Sequence, residues 1–188
     1  MNPVLLALTL AAVLPWCAHA AEYRQIQADQ SAITFAYQQM GVAMEGKFRR
    51  FTAQMQFDPE RPESAQATVE VDLASIDTGS TEGDQEVAGK TWFNTSAFPT
   101  ARFVTSSVKA LGDHRYRYEA MGQLTIKGKT QDVVVPATFT AQGKTGIFDG
   151  RFTLRRGDFG IGEGPWAAFD VVANEVQIQF RITAQAGE

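Results

Sequence analysis

Along residues 65–76, AQATVEVDLASI, Ala65, Ala67, Val69, Val71 and Leu73 alternate with Gln66, Thr68, Glu70 and Asp72. A strand drawn through them carries one apolar and one polar face. The same period of two returns in RYRYEAMGQLTIKG, residues 115–128. There Tyr116, Tyr118, Ala120, Leu124 and Ile126 face one way, and Arg115, Arg117, Glu119, Gln123 and Lys127 the other. NEVQIQFRITA, residues 174–184, repeats it through Val176, Ile178, Phe180 and Ile182. Less regular runs at 31–39, 46–57, 101–110, 132–141 and 146–156 bring the expected count to about eight strands.

Between these runs lie turn signals: DPERPES at 58–64, LGDHR at 111–115, IKGKT at 126–130 and AQGKTG at 141–146. Connections this short make neighbouring strands antiparallel. No helix-length period of 3.6 appears outside residues 80–99. Long strands with one apolar face and short turns favour closure, because closure removes exposed edges. The expected fold is all-β: an eight-stranded antiparallel barrel with a short helix in one long loop. The interior of such a barrel is either filled by side chains or holds one small ligand.

The first twenty residues stand apart. MNPVLLALTLAAVLPWCAHA has no Lys, Arg, Asp or Glu, an apolar run from Val4 to Leu14 and an Ala18-His19-Ala20 ending. That is the pattern of a secretory signal cut before Ala21, so residues 1–20 are expected as a leader and 21–188 as one domain, exported to the periplasm. The remaining 168 of 188 residues contain no cysteine, which leaves stability to the core. A net charge of −4 without a concentrated basic patch argues against nucleic acid as a partner. His114 alone, in a Gly-Asp-His turn, offers no nucleophile–histidine arrangement and no zinc cluster. Neither a catalytic residue nor a cofactor is expected.

Chemistry concentrates in STEGDQEVAGKTWFNTSAFP, residues 80–99. Glu82, Asp84 and Glu86 are spaced i, i+2, which splays them on a helix; they suit the positive end of a helix start instead. Gly79, Gly83 and Gly89 match no phosphate-cradling spacing. Val87, Trp92, Phe93 and Phe98 supply bulky apolar surface in a connection longer than the others, suited to a lid over a ligand or to a plug in the core. A second aromatic loop, GDFGIGEGPWAAF at 157–169, holds Phe159, Trp166 and Phe169. Interior candidates on the strands are Phe35, Tyr37, Met40, Met44, Phe48, Met55, Phe57, Phe103, Met121 and Phe139. Core packing accounts for any one of them; their sum suits a cavity that moulds to a chain.

Four blocks carry a resemblance: residues 33–79, within which FDPE and VEVDLASIDTG stand out, then FPTARFVTSSV at 98–108, GQLTIKGKTQDVVVPATF at 122–139 and LRRGDFGIG at 154–162. In this order they resemble the YceI-like family. The resemblance implies a secreted, lipocalin-like barrel that carries a polyisoprenoid or similar long amphiphile with no chemical step. The alternative is an accessory protein that presents a bound quinone to a membrane redox enzyme. A membrane redox partner and a homodimer stay open on the partner side. After IDTG the family usually reads Arg-Asp-x-His-Leu, whereas this chain has Gly83, Asp84, Gln85, Glu86 and Val87. The aspartate and the aliphatic residue survive, so Asp84, Glu86 and Val87 join the ligand-contact candidates. The basic residue and the histidine are gone, which points to a neutral head, such as a quinone or fatty amide, rather than a pyrophosphate.

Overall fold

Eleven strands and one α-helix follow one another in the computed structural model, which describes residues 22–112 and 116–187. The expected leader and His114 lie outside the described residues. The strands are β1 (Tyr23–Ile26), β2 (Ala32–Gln39), β3 (Val42–Phe48), β4 (Phe51–Gln56), β5 (Gln66–Asp72), β6 (Ile76–Asp77), β7 (Thr100–Ala110), β8 (Arg117–Ile126), β9 (Lys129–Gln142), β10 (Thr145–Arg155) and β11 (Glu175–Ala186). The helix α1 (Thr81–Ala88) lies between β6 and β7, in the long connection where the sequence places it. One antiparallel sheet runs β4-β5-β7-β8-β9-β10-β11-β2-β3-β6, and β1 adds to β11.

Eight expected strands become eleven for local reasons. The 46–57 run breaks at a corner, Arg49–Arg50, whose backbone N–H groups donate to Ser75 O at 3.0 Å and Ser75 Oγ at 2.9 Å. That corner separates β3 from β4. β1 and β6 have four and two residues, too short to show a period. The sheet curls until its β4 end meets β1, where Tyr23 N donates to Phe57 O at 2.8 Å and Phe57 N to Tyr23 O at 3.2 Å. Among the described residues no ladder joins β3 to β4, so the barrel is a curled sheet bridged at this seam.

Inside are two packed clusters. Tyr23, Phe57, Tyr118, Phe139 and Phe148 form one, with several ring centroids 4.9–5.2 Å apart. Leu73, Trp92, Leu124, Ile126, Leu154, Phe159, Ile161 and Val172 belong to the other. Between strands, aromatic rings fold over inward-facing glycines. A Cβ on Gly46 would lie 2.3 Å from the Phe35 ring, one on Gly150 2.2 Å from Phe180, and one on Gly122 2.6 Å from Phe103. Gly46 and Gly150 are the direct cross-strand partners of Phe35 and Phe180.

The helix α1 starts where Ser80 Oγ accepts from Gly83 N at 2.9 Å. Glu82 and Asp84 occupy its first turn, favourable to the helix dipole. Asp84 does more than stay solvated: its Oδ1 accepts from Thr78 N at 2.7 Å and Thr78 Oγ1 at 2.8 Å, fixing the chain's entry into the helix.

Candidate functional site

The barrel encloses a cavity of about 950 Å³ walled by residues of ten strands, β2 to β11, together with α1 and the two aromatic loops. The apolar alternation of the sequence becomes this wall. Ala65, Ala67, Val69, Val71 and Leu73 all line it, as do Tyr118, Ala120, Leu124 and Ile126, and Val176, Ile178, Phe180 and Ile182. In β7 the register shifts between Thr105 and Ser107, and that bulge lets Thr105 and Val108 face inward on opposite parities.

Of the site residues expected from the sequence, Phe35, Tyr37, Phe48, Met55, Phe57, Glu86, Val87, Trp92, Phe93, Phe103 and Trp166 line the cavity, and Met44 joins them. Burial raises the Tyr37 phenol above its ordinary value. Six expected residues do not line it. Met40 is 72% exposed because it forms, with Gly41, the two-residue β2–β3 turn; both residues have positive φ, and the side chain projects off the tip. Met121 has the parity of Arg117, Glu119 and Gln123 and therefore faces outward, opposite exposed Val134. Phe139 packs behind the wall against Tyr23 and Phe148. Phe159 is buried in the second cluster. Phe98 packs over Gly128 in the β8–β9 turn. Asp84 is held by Thr78. The basic run behaves as a solvated face, with Lys47 and Arg49 paired to Asp77 and Arg50 to Asp72.

The two aromatic loops are stitched together. Thr91 O accepts from Gly162 N at 2.9 Å and Glu163 N at 2.8 Å. Trp92 and Trp166 stack tilted, centroids 5.5 Å apart, and Trp166 Nε1 donates to Glu86 Oε1 at 2.7 Å. Lys127 in the β8–β9 turn donates from Nζ to Gly160 O at 2.6 Å and Glu163 Oε2 at 3.0 Å; that bond and charge hold the Glu163 carboxyl below its ordinary value. Trp92 is at once a buried core residue and a wall of the cavity.

Arg156 also lines the cavity, although its charge argues against an inward position. It is 2% exposed and donates to six backbone carbonyls: Ala173, Ile161, Gly162, Trp166, Ala168 and Val172. Its guanidinium carbon lies 5.4 Å from the Trp92 ring centroid and 4.9 Å from that of Phe169. Burial lowers its pKa from the ordinary arginine value. The sequence holds a signal, because Arg156, the first residue after β10, keeps the parity by which Phe148, Phe152 and Leu154 point inward.

A curled antiparallel sheet around one apolar chamber, crossed by a short helix and two loops, is a lipocalin-like barrel. The chain belongs to the YceI-like family, whose domain matches residues 25–184. It is 32% identical over 169 residues to a UPF0312 protein of Pseudomonas savastanoi pv. phaseolicola, covering 85% of this chain and 87% of that protein. A UPF0312 protein of Pseudomonas putida is 30% identical over 182 residues, 93% of each chain. The crystal structure of Burkholderia cenocepacia BcnA resembles it with a TM-score of 0.82 at 38% identity, covering 86% of this chain and 100% of that one. A polyisoprenoid binding domain from Saccharophagus degradans, at 13% identity, shares the fold with a TM-score of 0.66 over 90% of this chain and 100% of its own.

Proposed function

We propose that this protein is a carrier that takes a long-chain amphiphile, an isoprenoid or a lipid of similar shape, into the barrel and performs no chemical step on it. The observation that carries the reading is the apolar cavity of about 950 Å³, large for a domain of this size and walled mostly by aliphatic and aromatic side chains. Burying each methylene contributes about 0.8 kcal/mol, so a chain of several isoprene units binds without specific polar contacts. Membership in the YceI-like family supports a lipid ligand. The isoprenoid class is borrowed from the Saccharophagus degradans domain, described as polyisoprenoid binding.

The head is neutral in this reading. Glu45, Glu82 and Glu86 line the cavity, while Arg156, the basic residue in its wall, spends its donors on carbonyls. We further propose export, from the leader pattern of residues 1–20; intact mass and fractionation test it, and a chain that keeps those residues in the membrane fraction refutes it. The carrier reading is tested by native purification, organic extraction and mass spectrometry. A stoichiometric long-chain lipid is the expected result. A folded protein that comes out empty and takes up neither prenyl chains nor fatty amides overturns it.

A further inference from the structure

Trp92 walls the cavity and is 7% exposed, and its indole Nε1–H is buried with no acceptor among the described residues. Buried donors are nearly always paired, and an unpaired one calls for an explanation. The neighbouring indole differs, since Trp166 Nε1 is engaged by Glu86. Also beside Trp92 is the Arg156 guanidinium, 5.4 Å from the ring centroid, which pairs with no carboxylate among the described residues.

An unpaired donor beside an uncompensated positive charge favours an oxygen at that point. The kind of oxygen is limited by what remains to bind it. The guanidinium N–H groups are already directed at six backbone carbonyls. An anionic head would exchange its whole hydration shell for one indole N–H, a heavy desolvation loss. A neutral carbonyl asks for one donor and loses little.

We propose that Trp92 reads the head group: in the loaded protein its Nε1–H donates to a carbonyl oxygen of a neutral amphiphile, a quinone or an amide. This inference rests on the carrier reading and names the group that selects the head. The nitrogen is buried in the present arrangement, so donation to the ligand requires the indole to turn toward the chamber as the ligand seats.

The test is an indole N–H titration by nitrogen-15 NMR with two probes that share a six-carbon ring and a decyl chain, a decyl-substituted benzoquinone and decylbenzene, which lacks the carbonyls. The Trp92 resonance is the one missing from Trp92→Phe. It is expected to move downfield with the quinone and not with decylbenzene, and Trp92→Phe is expected to weaken the quinone about fivefold more than it weakens decylbenzene, the excess being the size of one neutral hydrogen bond. If both probes bind and shift this resonance alike, or Trp92→Phe binds the quinone as well as the parent does, the head-reading role is overturned and the carrier reading stands. If neither probe binds the parent protein, the carrier reading fails and this inference with it. The parent's titration decides the matter even should Trp92→Phe fold poorly.

Discussion

Trp166 and Glu86, 80 residues apart in the chain, are joined by a 2.7 Å hydrogen bond from the indole nitrogen to the carboxylate. Glu86 occupies the place where the family resemblance leads one to expect a histidine. The carboxylate that replaces it ties α1 to the second aromatic loop, an internal fastening in addition to any effect on a ligand. Trp166→Phe and Glu86→Ala are expected to show a coupling of roughly 0.5–1.5 kcal/mol in a double-mutant cycle followed by urea unfolding. Glu86→Gln keeps an acceptor and should lose less than Glu86→Ala. Strict additivity would show that the bond holds nothing.

Arg156 is the larger bet. Replacing it with Met leaves the carbonyls of Ile161, Gly162, Trp166 and Val172 buried without their donor. The expected loss is about 3–5 kcal/mol, read as a lower denaturation midpoint, with proteolysis appearing first in residues 160–173. Arg156→Lys has three donors and no planar fork, so it should recover only part of the loss. A near-neutral Arg156→Met would show that the loop holds its shape by packing alone.

Asp58 gives the fold an acid-sensitive element. Burial opposes its ionisation, but Glu60 N at 2.9 Å and the Arg61 guanidinium at 2.9 Å outweigh burial and hold the carboxyl below its ordinary 3.8. A depressed folded-state value stabilises the protein fully above 3.8, and the gain is lost as pH falls through the folded value. Thermal melts taken from neutral pH down past 3.8 should therefore show Asp58→Asn clearly less stable at neutral pH, with the gap closing in acid. A gap that stays constant with pH would remove the carboxylate from the explanation.

Gly46→Ala probes the barrel wall. Its Cβ would lie 2.6 Å from the backbone oxygen of Asp77 as well as 2.3 Å from Phe35, and the backbone atom cannot swing away. Overpacking of this kind costs about 1–3 kcal/mol. Displacing Phe35 also narrows the cavity, so uptake of a long chain should weaken in the folded fraction. Unchanged stability and uptake would mean that the strands part more easily than the contacts imply.

How far the sequence led depends on the residue. Faces built by strict alternation, such as Ala65 to Leu73, transfer directly to the cavity wall because every second side chain of a strand shares a side. For Met121 composition and parity disagree and parity prevails: its neighbours Glu119 and Gln123 mark that side as outward. Met40 needed the turn type, which depends on the two-residue register Gln39↔Val42 and is invisible to hydropathy. Phe139 has inward parity, but alternation does not separate a ring that touches the cavity from one packed beside other rings, and Phe159 belongs to a loop where no period tells cavity from core. Arg156 is hidden from a reading of the sequence because its charge outweighs its inward parity, and the six carbonyls that make its burial tolerable come from a loop with no period at all.

The rings folded over Gly46, Gly122 and Gly150 have a bearing on capacity. A ring laid across a bare backbone lines the bore like wallpaper, where one standing over an alanine would project into it like a shelf. The residues that contribute least chemistry thus set how thick a cargo fits, and the aromatic residues set how well it is wetted. Capacity and affinity are then separately adjustable: methyl groups added one glycine at a time would grade the chain thickness admitted without changing the character of the surface it meets.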